Sequence, residues 1–132
     1  MSKNRSEVTG CVFFCHGARD DNWRKPFEAI MAQYRSAQPD QPAALGFLEL
    51  MTPSFEDAVA DVIGQGASHV RVVPLFLAPG RHTRRDLPEL VAQEQARWPD
   101  VSFSVVPTLT EIPTVREAIV DWALRSPEAP AQ

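Results

Sequence analysis

The chain has 132 residues, 44% of them hydrophobic and 23% charged, with a formal net charge of -4. That length fits one domain able to bury roughly two thirds of the surface its unfolded chain exposes, and no apolar run approaches the ~20 residues that cross a bilayer. The acidic balance offers no basic field to nucleic acid, and the polar first ten residues lack the apolar stretch of a secretory signal, so a cytoplasmic location is the expectation.

Residues 1–9 carry no periodic signal and are expected to form a disordered terminus, ahead of one α/β domain over 10–125. Cys11-Val12-Phe13-Phe14-Cys15 is an apolar run without polar alternation, the pattern of a strand covered on both faces, and it stops abruptly at His16-Gly17. Four residues along a strand separate Cys11 from Cys15 by roughly 13 Å, too far for one disulfide. Both read as small apolar residues of a strand. Trp23, Phe27, Ile30, Met31 and Tyr34 then recur at helical spacing, with Pro26 tolerable in a first turn, and the helix ends near Gln38-Pro39.

Ala43 to Leu50 forms a second strand-like run closed by Glu49, Met51 and Thr52. Thr52 as N-cap with Pro53 at the first helical position predicts a second helix through Phe55, Ala58, Val59, Val62 and Ile63, ending at Gly64 and Gly66. His69 to Leu77 is the third strand; Pro74, which lacks an amide donor, suggests a bulge or a sheet edge there. Asp86, Leu87, Leu90, Val91, Glu94 and Trp98 predict a third helix, Val101 to Val106 alternates as a fourth strand, and Ile112, Val115, Ile119 and Trp122 predict a fourth helix. Residues 126–132 read as a flexible tail rich in Pro and Ala.

Strands alternating with helices imply a parallel sheet with right-handed crossovers. The expected architecture is a single flavodoxin-like domain with a four-stranded sheet in the order 2-1-3-4 and its ligand crevice at the carboxyl ends of the strands. His16 and His82 would then leave neighbouring strands on one rim, with Glu49 at the end of the strand on the other side. Two imidazoles and a carboxylate can bind a divalent metal and accept protons. Each also has a plainer reading: a rim histidine as a helix cap or a solvated residue, Glu49 as a partner of the following helix dipole. His69 lies at the opposite end of its strand and is not a site candidate. Arg19, Arg81, Arg84 and Arg85 concentrate positive charge around the same rim, which suits a small molecule rich in carboxylates or phosphates, although Arg84 and Arg85 are equally compatible with a solvated first helical turn. No Gly-x-Gly-x-x-Gly or Walker-type loop follows the first strand and no Gly-x-Ser-x-Gly elbow occurs, so neither a nucleotide cofactor nor a serine hydrolase is indicated.

The His16-Gly17 turn, Phe47-Leu48-Glu49-Leu50 followed by Pro53-Ser54, and Pro74-Leu75-Phe76-Leu77 leading to Gly80, His82, Asp86, Leu87 and Pro88 together resemble the small CbiX-type sirohydrochlorin chelatases, over roughly residues 10–125. The resemblance implies one half of a chelatase fold and a lyase that inserts cobalt, iron or nickel into sirohydrochlorin or a related carboxylate-rich tetrapyrrole. The metal would be a transient substrate with no cofactor permanently bound. It implies metal binding and catalysis by His16 and His82, an acid/base or metal-guiding role for Glu49, and a homodimer with the site near its interface. Ala18 stands where the family usually has serine and Arg81 where it often has glycine. A carrier of metal or tetrapyrrole without turnover is the alternative.

Overall fold

A computed structural model describes residues 7–130, with His82 described by its backbone alone. Strand β1 is Thr9–Cys15, buried from Gly10 onward on both faces, which accounts for the lack of polar alternation in its sequence. It pairs in parallel with β2 (Ala43–Phe47) on one side and with β3 (His69–Pro74) on the other. β3 in turn pairs with β4 (Ser102–Val105), so the order is β2-β1-β3-β4, as expected. Cys15 lies opposite Phe47 and Phe14 opposite Pro74, so three strands finish nearly level on one rim.

Alternate residues of β1 supply two cores. Cys11, Phe13 and Cys15 pack with Leu45, Phe47 and Met31 beneath helix α1 (Arg24–Ala37). Val12 and Phe14 pack with Val59, Val62, Val72 and Leu87 beneath α2 (Phe55–Gly64) and α3 (Leu87–Arg97). Gly46 lets α2 approach β2, since a Cβ there would lie 3.0 Å from the Ala58 side chain. On the α1 side the sheet turns polar beyond β1: Arg71 is exposed, and the His69 ring sits between Ser102 Oγ, 2.6 Å from Nδ1, and Ser104 Oγ, 2.8 Å from Nε2. That face offers little apolar area to a fourth helix. Helix α4 (Pro113–Arg125) accordingly buries none of its residues and rests mainly on the 3-10 turn Leu109–Glu111 before it.

Three expectations need correction. The N-cap of α2 is Ser54, not Thr52: its hydroxyl accepts from the Asp57 amide at 3.1 Å, and the Asp57 carboxylate accepts from the Ser54 amide at 3.2 Å. Thr52-Pro53 is a cis peptide whose Pro53 carbonyl accepts the Phe47 amide at 2.9 Å, so Pro53 serves β2 rather than the helix. Pro74 marks neither a bulge nor an edge; it is the last residue of an inner strand. The Leu75 amide bonds Phe14, so the Pro74 nitrogen points toward β4, which has ended opposite Val72. No donor is missed there. Arg84 and Arg85 lie in a π-helical turn, His82–Asp86, that precedes α3. Of the terminus expected to be disordered, residues 1–6 lie outside the described residues, Thr9 opens β1, and the Val8 carbonyl accepts the Ser68 amide at 2.8 Å. Residues 126–130 are exposed and without regular structure, and 131–132 lie outside the description. No described helix is long and apolar enough to cross a membrane.

Candidate active site

β1 ends at Cys15, so the next residue, His16, is the first beyond the strand at the rim. Its ring packs against Phe76, with centroids 4.5 Å apart and planes tilted by 48°. Its carbonyl accepts from Trp23 Nε1 at 2.8 Å. Phe76 belongs to the loop after β3, and Trp23 ends the 3-10 turn Asp21–Trp23 that leads into α1. His16 is therefore held from two directions, by apolar contact on the ring and by a hydrogen bond on the backbone.

The following residue must be glycine. A Cβ on Gly17 would fall 1.7 Å from the Glu49 carbonyl oxygen, inside any permitted contact. The loop after β2 thus lies directly on the loop after β1, and Glu49, itself exposed, is brought beside the His16-Gly17 turn as expected. That second loop is tied down at both ends: Leu48 donates its amide to Cys15 O at 2.8 Å, and Arg24 Nη1 donates to Thr52 O at 2.7 Å. Between them Leu50 takes φ of 66°, a left-handed conformation uncommon for a bulky side chain.

The loop after β3 reaches the same rim. Gly80 O accepts the amides of Thr83 at 3.1 Å and Arg84 at 2.9 Å, while the Thr83 hydroxyl accepts from Gly80 N at 2.8 Å, so the turn bearing His82 starts at a defined point. The backbone of His82 follows β3, the neighbour of β1; its side chain lies outside the described residues. Among the described residues no three His, Cys, Asp or Glu side chains gather into a metal site. Cys11 and Cys15 are free and buried, and burial pushes the Cys15 thiol up to about 12. A thiol of that kind stays protonated and is a poor ligand.

Arg19, Arg81, Arg84 and Arg85 are all exposed around this end of the sheet. Arg84 lines a cavity of about 330 Å³ together with Thr83, Thr108 and Glu111. Glu111 is held below the usual carboxylate range by hydrogen bonds from the Thr108 hydroxyl and amide, with the positive charge of Arg84 adding to them. Arg84 consequently faces a carboxylate, which the sequence reading did not anticipate. His69 lies at the far end of β3, away from the rim, as expected. The residues that sequence reasoning passed over are Trp23, Arg24 and Phe76, which hold the rim rather than project from it. The spacing of Trp23 places it on the apolar face of α1; its partner, the His16 carbonyl, is a backbone atom that no side-chain pattern announces.

The chain is 37% identical over 94 residues to the sirohydrochlorin cobaltochelatase of Methanopyrus kandleri, a match covering 70% of this chain and 64% of that one. It thus spans slightly less than two thirds of that relative. Among solved structures, a cobalamin (vitamin B12) biosynthesis CbiX protein from Marinobacter aquaeolei superposes with a TM-score of 0.77 at 30% identity, covering 88% of this chain and 94% of that one. SirB from Bacillus subtilis with Fe3+ superposes with a TM-score of 0.76 at 25% identity, covering 91% of this chain but 48% of that one. With the CbiX family model matching residues 10–125, from the strand that delivers His16 to the end of the last helix, the chain belongs to the CbiX family.

Proposed function

We propose that this protein inserts a divalent metal, cobalt, iron or nickel, into sirohydrochlorin or a related carboxylate-rich tetrapyrrole, acting in the cytoplasm as a homodimer. The observation that carries the reading is the packing of His16 at the carboxyl end of β1, beside the strand whose loop bears His82. Related chelatases named for cobalt and for iron support it.

Metal insertion asks for few and exchangeable ligands, because the ion must be gripped long enough to lose water and then released to the ring. Neutral imidazoles of His16 and His82 meet that requirement, and protonated buried thiols do not compete. Two pyrrole protons must leave as the metal enters; the histidines and the exposed carboxylate of Glu49 are the acceptors within this rim. Arg19, Arg81, Arg84 and Arg85 attract the peripheral carboxylates of the ring, Arg84 with its charge shared by Glu111. The homodimer is supported by the apolar side chains left exposed on α4 and by the twofold length of SirB relative to the segment it shares with this chain.

Anaerobic incubation with Co2+ and sirohydrochlorin, followed by absorption spectroscopy, tests the reading. The wild type and His69→Ala should form the metallated product, whereas His82→Ala should lose at least about a hundredfold in rate while still folding, since the position follows β3 rather than lying within it. Tight binding of the ring without turnover would make the protein a carrier. Equal loss in the two variants would remove the assignment of roles by strand end.

A further inference from the structure

Two consecutive residues, Trp23 and Arg24, each donate a side-chain hydrogen bond to a backbone carbonyl, and the two carbonyls lie in different rim loops. Trp23 Nε1 bonds His16 O at 2.8 Å, and Arg24 Nη1 bonds Thr52 O at 2.7 Å in the loop that carries Glu49. We propose that Trp23 and Arg24 are positioning residues, a two-pronged clamp at the start of α1 that sets the spacing between His16 and Glu49 for the reaction proposed above, on which this inference rests.

The loop after β2 is anchored at its base, where Leu48 N donates to Cys15 O and Phe47 N to Pro53 O, but neither loop has a regular ladder at its tip. Residues 16–18 have no regular backbone structure, and the 48–53 loop reverses through Leu50 at φ of 66°. Such a conformation persists only when its surroundings over-determine it. The clamp itself stands on rigid ground. Its turn is closed by Asp20, whose carboxylate accepts the Asn22 amide at 2.9 Å and whose carbonyl accepts the Trp23 amide at 3.0 Å. The Trp23 ring packs on Phe27 at 5.5 Å, Phe27 packs on Phe47 at 6.4 Å, and the Arg24 guanidinium lies 5.2 Å from the Phe47 centroid. Because Phe47 ends β2, both prongs are referenced to the sheet. The clamped loops also touch each other where Gly17 meets the Glu49 carbonyl, so a shift in one is transmitted to the other. Each prong acts on a backbone carbonyl of a rim loop, and its contribution is to keep acid/base and metal-binding groups at one separation, where displacements of about 1 Å cost roughly a hundredfold in rate.

Trp23→Phe removes the N–H donor and keeps a ring against Phe27; Arg24→Met removes the guanidinium; Arg24→Lys keeps a charged donor. In cobalt insertion each of the first two should lower kcat about tenfold, the net worth of one good hydrogen bond, with KM for sirohydrochlorin within about twofold. The double variant should fall little below either single one, since one distance is being released, and Arg24→Lys should recover most of the rate. Calorimetric titration with Co2+ alone should show binding weakened several-fold in Trp23→Phe. Unchanged kcat, a rise in KM alone, or fully multiplicative losses in the double variant would overturn the clamp. If the wild type makes no metallated product, the proposed function fails, and the clamp then stands or falls on the Co2+ titration: equal affinity in wild type and Trp23→Phe rejects it.

Discussion

Cys15 illustrates how a single side chain reports on its surroundings. It is fully buried where β1 meets the rim, and burial raises its thiol from 9.0 to about 12. The folded state therefore keeps this proton over a range in which the unfolded chain has lost it. Stability from this group is fully present below pH 9 and declines as pH rises from there toward 12, because the slope of unfolding free energy with pH follows protons bound unfolded minus protons bound folded. Cys11 shifts the same way, chiefly from burial. Native protein should resist alkylation by iodoacetamide at pH 8.5 and react at both cysteines once unfolded, and its denaturant midpoint should drop between pH 9 and 10.5. Rapid labelling of native protein would mean that the strand end opens. At the same scale, His16 was legible because a titratable ligand at the carboxyl end of a buried strand is chemically distinctive, whereas the close approach that requires Gly17 appears only in the structure. Trp23 and Arg24 were not legible, because tryptophan and arginine have many uses and their partners here are carbonyl groups of residues 7 and 28 positions away.

Among the elements, α2 shows how a correct helix can carry a wrong start. The pair Thr52-Pro53 fits the usual signal for a first turn, yet Ser54 with Asp57 three residues on is also a capping box, and the second satisfies two amides instead of one. The choice rests on β2, whose Phe47 amide recruits the Pro53 carbonyl. Ser54→Ala should cost about 1 kcal/mol, read as a fall in Tm of roughly 3–5 °C, whereas Thr52→Ala should change Tm by less than about 1 °C. Reversal of that order would restore Thr52 as the cap. Strand β4 was recognised from its alternation. Its polar face proved to be an open sheet surface on which His69 spans two serines, and that surface leaves α4 without a bed.

For the whole molecule, α4 is the part that the monomer does not account for. Val120, Trp122 and Leu124 are 57%, 67% and 79% exposed, although a helix of 13 residues is marginal in water without packing. Along α3 and β4 runs an apolar groove of about 550 Å³ lined by Leu87, Val91, Ala92, Phe103 and Val105. In the homodimer proposed above, a second copy covers the exposed side chains of α4. Sedimentation should give a dimer at micromolar concentration for the wild type, and Trp122→Glu with Leu124→Glu should shift it to monomer. A wild-type monomer, or a double variant still dimeric with unchanged affinity, would rule out α4 as the contact.

Strand order, the sites of the four helices and the rim address of His16 and Glu49 could be read from residue order alone. Hydrophobic periodicity and right-handed crossovers are local rules, and a parallel sheet converts strand ends into a common edge. The mutual grip of the rim loops could not be read in this way. It depends on Trp23, Arg24, Gly17 and Phe76 meeting backbone atoms and rings that become neighbours only after β1, β2 and β3 are in register. The unpacked state of α4 was hidden for the same reason: its amphipathic sequence says that it has a face to bury, but the polar outer sheet surface at β3 and β4 offers no apolar bed, and the face stays open among the described residues.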